Sequence, residues 1–198
     1  MKELKDRIRR DGRVLAGGIL KVDDFLNVRI DPVLMDHIGK EFARLFEKEK
    51  VTMVLTIEAS GIAPAYSTAL ALNVPLVFAK KARSANLGQG DVYSARVRSF
   101  TYGRDYDILV PSRFITPADH VLIIDDFLAN GFAARGLNEI IHEAGAETAG
   151  VGVCIAKCFQ PGMKLLEDEG LHVEALAAIE AMDENGIVFR EMKSGEEK

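Results

Sequence analysis

The chain predicts an α/β fold, with a central parallel sheet and helices on both faces. Two observations carry that expectation. Between residues 33 and 156 short apolar runs alternate with segments of helical spacing, the pattern of strands joined by crossover helices. The runs themselves, VTMVLTI (51–57), VPLVFAK (74–80) and VLII (121–124), are apolar at nearly every position, which suits strands buried on both faces. The 198 residues, 48% of them hydrophobic, suffice for one domain with a sizeable core. No internal repeat or linker divides them.

Each element follows from local signals. Residues 2–10 form a short charged helix with Leu4 and Ile8 on one face, stopped near Gly12. Val14, Leu15, Ile19, Leu20 and Val22 around Gly17-Gly18 suggest short extended pieces. Asp31-Pro32 pairs an N-cap acid with proline at the first helical position, and the helix runs to about Glu49 with Leu34, Ile38, Phe42, Leu45 and Phe46 at helical spacing. A strand at 51–57, a helix at 62–72 and a strand at 74–80 follow. From Arg83 to Gly103 the chain is polar, with weak strand pieces near Val92–Phe100; DILVP (107–111) is their partner or a sheet-edge strand. Next come a strand at 121–125, a helix at 132–144 ended by Gly145, and the strand TAGVGVCIA (148–156). A short helix after Pro161-Gly162, the apolar run VEALAAI (173–179) and a hairpin-like turn at Asn185-Gly186 complete the chain.

Composition excludes several classes of function. A net charge of −5 and a pI near 5.5 leave no basic stripe for nucleic acid, although backbone amides can hold a small anion on an acidic protein. No apolar run approaches membrane-spanning length, and MKELKDRIRR is not signal-like. Cys154 and Cys158 form neither a disulfide framework nor a metal-binding spacing, and the four histidines are scattered.

In sheets of this kind ligands bind at the carboxyl ends of the strands. Three loops fall there: Glu58-Ala59-Ser60-Gly61, Lys80-Lys81, and Asp125 to Ala133. In the last, VLIIDDFLANG, a strand tip carries two adjacent carboxylates, whose mutual repulsion folding alone would not favour. The small residues Ala129-Asn130-Gly131 feed a helix and gather free N–H groups at its positive end, where a phosphate fits. Asp125 and Asp126 are good acceptors for two neighbouring hydroxyls. A cis-diol beside a phosphate describes ribose 5-phosphate. Read alone, the pair is also compatible with a turn cap at Asp126 and a solvated strand end at Asp125. Lys80 reads equally as a solvated surface residue, and Lys81 less so. Lys157 sits at the carboxyl end of the 148–156 strand, Phe159 is a stacking or core aromatic, Leu20 reads as core, and Asn27 as a local cap before Asp31-Pro32.

VLIIDDFLANG resembles the phosphoribosyl pyrophosphate motif of the type I phosphoribosyltransferases. KVDDFLNVRIDP, TIEASGIAPA, VPLVFAKK and KCFQPG, in order along nearly the whole chain, resemble the xanthine phosphoribosyltransferases of bacterial purine salvage. The short motif is shared with regulators of the same fold; the four flanking segments together are specific. The resemblance implies a single domain over 1–198, with a core at about 33–156, a hood from about 1–30 and 157–190, and a mobile loop at about 83–103. It implies a cytoplasmic homodimer that transfers ribose 5-phosphate from phosphoribosyl pyrophosphate to xanthine, with magnesium carried by the substrate and no nucleic-acid or membrane partner. Ala129, Asn130, Gly131, Phe132 and Ala133 would cradle the 5′-phosphate, and Asp125 and Asp126 would hold the ribose. Ser60, Gly61 and Lys81 would approach the pyrophosphate, and Leu20, Asn27 and Lys157 the purine. Phe132 stands where the family often has a polar residue such as Gln, and the loop lacks the Ser or Thr hydroxyls of many relatives, so its grip would rest on amides and Asn130. Glu58 is a partner of metal-bound water or a structural acid. The alternatives are a preference for guanine or hypoxanthine, and a regulator that binds phosphoribosyl pyrophosphate without turnover. Such regulators usually carry an added DNA-binding segment, for which this acidic chain has no room.

Overall fold

A computed structural model of the protein describes residues 1–81, 91–98, 105–183 and 186–190. The chain begins with α1 (Lys2–Asp11), the hairpin β1 (Arg13–Leu15) and β2 (Ile19–Lys21), a π-helical turn at Asp23–Asn27, and α2 (Pro32–Leu45). Then follow β3 (Met53–Ile57), α3 (Ile62–Leu72), β4 (Leu76–Lys81), β5 (Val92–Arg98) and β6 (Asp105–Pro111). The remainder comprises β7 (His120–Leu128), α4 (Phe132–Glu143), β8 (Glu147–Lys157), α5 (Gly162–Asp168), β9 (Val173–Asp183) and β10 (Gly186–Phe189).

Eight strands form one sheet in the order β10-β9-β8-β7-β3-β4-β6-β5, and β1 and β2 pair separately. The strands from β9 to β4 run parallel. Antiparallel partners close both margins: β10 against β9, and the β6–β5 hairpin against β4. Helices cover both faces, as expected for parallel strands. On one face α4 contributes Leu137, Ile140 and Ile141 and α5 contributes Leu166. On the other, Leu4 and Ile8 of α1, Ile38 and Phe42 of α2, and Ala65 and Ala69 of α3 share a second core.

Local chemistry explains most boundaries. The Asp31 carboxylate accepts from the N–H groups of Val33 (3.1 Å) and Leu34 (3.2 Å), capping α2 with Pro32 at its first position. That helix stops at Leu45, short of Glu49, because Phe46 leaves it to bury its ring beside His172, with ring centres 5.0 Å apart. The glycines of β8 make this packing possible. A Cβ at Gly152 would stand 2.8 Å from the Phe42 ring, and one at Gly150 2.5 Å from that of Phe46. DILVP belongs to β6, which pairs with both β5 and β4, so β5 takes the edge. The run VEALAAI opens β9, which hydrogen-bonds in parallel to β8, so the sheet reaches well beyond residue 156. β9 and β10 pair as a hairpin, while the turn residue Asn185 lies outside the described residues. Of the polar segment 83–103, only 91–98 is described; the rest lies outside.

One expectation is corrected. β7 does not end at Asp125: it runs to Leu128, because β8 continues to pair with it as far as Leu128↔Ala156. On its other side the pairing with β3 stops at Leu55↔Ile123. The two carboxylates therefore lie inside the strand, not at its tip, at a point where one neighbour has already turned away.

The α2–α3 contact yields a direct test. A Cβ at Gly39 of α2 would fall 2.4 Å from the backbone carbonyl of Ser67 in α3. Helix propensity alone favours Gly39→Ala by about 1 kcal/mol, but overpacking against a backbone costs about 1–3 kcal/mol. The variant should therefore lose stability in urea unfolding; a gain would contradict this close approach.

Candidate active site

The sheet order reverses between β3 and β7. From β3 the crossover through α3 leads to β4 on one side, and from β7 the crossover through α4 leads to β8 on the other. The connections after these adjacent strands diverge, opening a crevice at their carboxyl ends. Glu58–Gly61 and Ala129–Gly131 form its two lips.

Asp126 ties the first lip to the amino-terminal segment. It is only 6% exposed. Its Oδ1 accepts from the Ser60 hydroxyl at 3.0 Å, and its Oδ2 from the Asn27 side-chain amide at 3.1 Å. The same asparagine has an Oδ1 that is buried without a partner among the described residues. Asp125 is 7% exposed, which removes the reading of a solvated strand end. Its Oδ1 accepts the backbone N–H of Asp126 at 2.9 Å. Burial, then the charge of Asp126, raise its pKa well above the ordinary carboxylate value; that backbone bond and the Lys81 charge pull the other way. Gly61 is required by crowding: a Cβ there would lie 2.3 Å from Thr56 Oγ1 and 2.8 Å from Asp125 Oδ1.

The second lip is a backbone cradle. Gly131 caps α4 with φ 81° and ψ 0°, the left-handed region that favours glycine. The N–H groups of the first helical turn after it have no intrahelical acceptor and face the positive end of the dipole. Phe132, the first residue of α4, is 37% exposed. Gly162, at the start of α5, supports the loop from behind. Its N–H donates to the Ala129 carbonyl at 2.9 Å, and a Cβ on it would stand 2.6 Å from the Gly131 nitrogen. Sequence reasoning placed Gly162 only at a helix start; its signal is a glycine where a helix would ordinarily carry a side chain.

Around the crevice, Glu58 accepts the Lys81 backbone N–H at 2.7 Å, which joins the lip after β3 to the end of β4. The Lys81 ammonium lies 5.4 Å from the centre of the Tyr106 ring, a neighbour sequence reasoning missed. Burial, then Asp125, raise the Tyr106 pKa. Lys157 ends β8 and donates to the Gly18 carbonyl at 2.9 Å, with its ammonium 5.7 Å from the centre of the Phe127 ring. Burial lowers its pKa. Through that bond it meets the β1–β2 turn two residues before Leu20, which is buried at 6% exposure. The structure thus joins Asn27, Ser60, Gly61, Asp125 and Asp126 directly, and Lys157 with the turn preceding Leu20 as a second group. Phe159 is 46% exposed and is not a core aromatic.

A buried carboxylate pair thus lies between two diverging lips, one of which ends in the glycine that caps α4. The model of the phosphoribosyl transferase domain matches residues 27–171, and the chain belongs to that family. Proteins named xanthine phosphoribosyltransferase lie near it in sequence. That of Lachnoclostridium phytofermentans is 52% identical over 192 residues, 96% of this chain and 98% of its own. That of Bacillus cereus (strain AH187) is 49% identical over the whole of both chains. Among solved structures, the Giardia lamblia APRTase complexed with 9-deazaadenine has a TM-score of 0.75 at 21% identity, covering 88% of this chain and 97% of its own. The Trypanosoma brucei adenine phosphoribosyl transferase, in complex with AMP, pyrophosphate and ribose-5-phosphate, reaches 0.73 at 17% identity, with 88% and 79% covered. These two likenesses concern the fold.

The buried carboxyl of Asp125 has a measurable signature. With its folded pKa raised, the folded state holds that proton more tightly than the unfolded chain, so stability falls as pH rises from the ordinary carboxylate value through the raised one. Asp125→Asn removes that penalty. The variant should melt higher than the parent at neutral and alkaline pH, and the gain should vanish below about pH 4, where the unfolded carboxyl is protonated too. Thermal melts from pH 3.5 to 8.5 check this; a gain that does not depend on pH would mean that the charge is not the cause.

Proposed function

We infer that this protein transfers the 5-phosphoribosyl group from phosphoribosyl pyrophosphate to xanthine, forming xanthosine 5′-monophosphate and pyrophosphate. The observation that carries the reading is the pair of bonds on Asp126. One carboxylate accepts from Ser60 in the lip after β3 and from Asn27 in the amino-terminal segment, beside the cradle at Gly131. Relatives of about half identity over essentially the whole chain bear the name of this activity.

In this reading the amides from Gly131 to Ala133, with Ala129, Asn130 and the amide of Phe132, hold the 5′-phosphate. Asp125 and Asp126 take the ribose hydroxyls, using acceptor capacity left beside Ser60 and Asn27. The bond from the anomeric carbon to the pyrophosphate oxygen breaks with its electron pair leaving on pyrophosphate, and a ring nitrogen of the base forms the new bond and gives up its proton to the departing pyrophosphate or to water. Positive charge on the sugar ring is favoured by the nearby carboxylates, while Ser60, Gly61 and Lys81 meet the leaving group. Most of the acceleration comes from holding two substrates in register. No group of three or more His, Cys, Asp or Glu among the described residues is arranged as a metal cage. Asp125 and Asp126 are hard oxygen donors of the kind magnesium uses one or two of, alongside substrate oxygens. When bound, magnesium would neutralise pyrophosphate charge.

The purine is assigned to the space between Leu20, Asn27 and Lys157. The free Oδ1 of Asn27 accepts a ring N–H, and Lys157 gives up the Gly18 carbonyl for an oxygen of the base. We further assign the enzyme to the cytoplasm as a homodimer of C2 symmetry, which sedimentation of the purified chain tests. No described helix is long and apolar enough to cross a membrane.

Pyrophosphate release with each purine in turn, in the presence of magnesium, tests the activity. Xanthine should give the highest kcat/KM, guanine a lower one, and adenine none. Lys157→Met should lower kcat/KM for xanthine by about a hundredfold, because the base oxygen is left without its donor, and should narrow the gap to hypoxanthine. A preference for hypoxanthine, or a xanthine preference that survives Lys157→Met, would remove this lysine from the base site. Binding of phosphoribosyl pyrophosphate without any turnover would favour a sensor over an enzyme.

A further inference from the structure

Asn27 reaches Asp126 from a segment with little regular structure of its own. Residues 23–31 comprise one π-helical turn and an extended entry to α2, and an isolated turn of this kind depends on outside support. Arg7 of α1 supplies it. Its Nη1 donates to Asp31 Oδ2 at 2.9 Å, and its guanidinium carbon lies 5.2 Å from the centre of the Phe25 ring. Phe25 is fully buried within the turn. Asp31 closes the segment: its N–H donates to the Phe25 carbonyl at 3.0 Å, and its carboxylate caps α2. Asn27 lies between the two grips.

We propose that Arg7 is a positioning residue for the transfer. It sets the 23–31 segment so that the Asn27 amide meets Asp126, and in this way fixes the base site relative to the ribose site. The proposal rests on the placement of Asn27 at the purine. A planar guanidinium can lie over Phe25 while its N–H fork meets Asp31; a lysine ammonium is a point charge that does one or the other. The side chains of Arg7 and Asp31 are 26% and 27% exposed. In Arg7→Met the Asp31 carboxylate keeps its bonds from the Val33 and Leu34 N–H groups and an apolar side chain still covers Phe25, so the effect of losing the pair falls on the geometry of the turn.

Steady-state kinetics of Arg7→Met and Arg7→Lys, with each substrate varied, test this. In Arg7→Met the KM for xanthine should rise on the order of tenfold, with the KM for phosphoribosyl pyrophosphate within about twofold and the melting midpoint nearly unchanged. Arg7→Lys should rise about threefold. In an Asn27→Ala background, Arg7→Met should add less than about twofold, because its route to the site is already cut. Equal changes in both KM values, or a full tenfold rise in the Asn27→Ala background, would make Arg7 a general support and overturn the proposal. If Asn27→Ala leaves the xanthine KM untouched, Asn27 is not at the base and the proposal falls with that placement. If Asn27→Ala raises it and Arg7→Met does not, only the proposal falls. Should Arg7→Met fail to fold, Arg7→Lys decides: an unchanged xanthine KM in that variant rejects the role.

Discussion

A carboxylate withdrawn from water has to be met by donors, and much of this protein is arranged around meeting Asp126. Burying an unpaired carboxylate costs several kcal/mol or shifts the group to its neutral form. Here the Ser60 hydroxyl and the Asn27 amide each donate to one of its oxygens. The two donors come from positions 66 and 99 residues away in the chain, so one side chain draws three segments to a point. Asp125 instead accepts the backbone N–H of its neighbour, and burial raises its pKa. The acids are therefore unequal partners: one is held by the surrounding segments, the other folds back on its own backbone.

Glycines do the complementary work of letting elements approach. Gly61 admits Thr56 and Asp125, Gly162 lies against the nitrogen of Gly131, and Gly136 of α4 leaves room for Val97 of β5. In each case a methyl group would occupy space that a neighbour already fills. Crevice and loop are thus shaped by what is missing as much as by what is present.

How far the fold could be read from the chain depended on whether the cause was local. The start of α2 was legible because Asp31 and Pro32 carry the cap within a few residues. The buried strands were legible because residues such as Val121–Ile124 are apolar on both faces. The length of β7 was not, since its continuation through Asp125 and Asp126 is imposed by the register of β8. The carboxylate pair and the glycine loop were singled out by their chemistry, with a turn cap and a solvated strand end as the other reading. Leu20 and Asn27 had no such local signature, and only resemblance singled them out; Lys157 was placed at a strand's carboxyl end, but its bond to Gly18 spans 139 residues, as that of Asn27 to Asp126 spans 99. Gly162 was read only as a helix start and Tyr106 went unnoticed for the same reason, because what matters about each is the neighbour that the fold supplies.

The antiparallel ribbons at the two margins of the sheet have a bearing on life at high concentration. An exposed, flat strand is a template onto which another chain can add, and parallel strands that fold slowly are especially open to it. At one margin β10 is only four residues long and carries an irregularity at Val188/Phe189, which spoils it as a template. At the other, Glu143 accepts the N–H of Ser94 from β5, and the exposed side chains of Arg96 and Arg98 add charge to the rim. The parallel strands that build the crevice are thereby shielded from edge-to-edge association, so colloidal solubility and the shape of the site are secured by different parts of the same sheet.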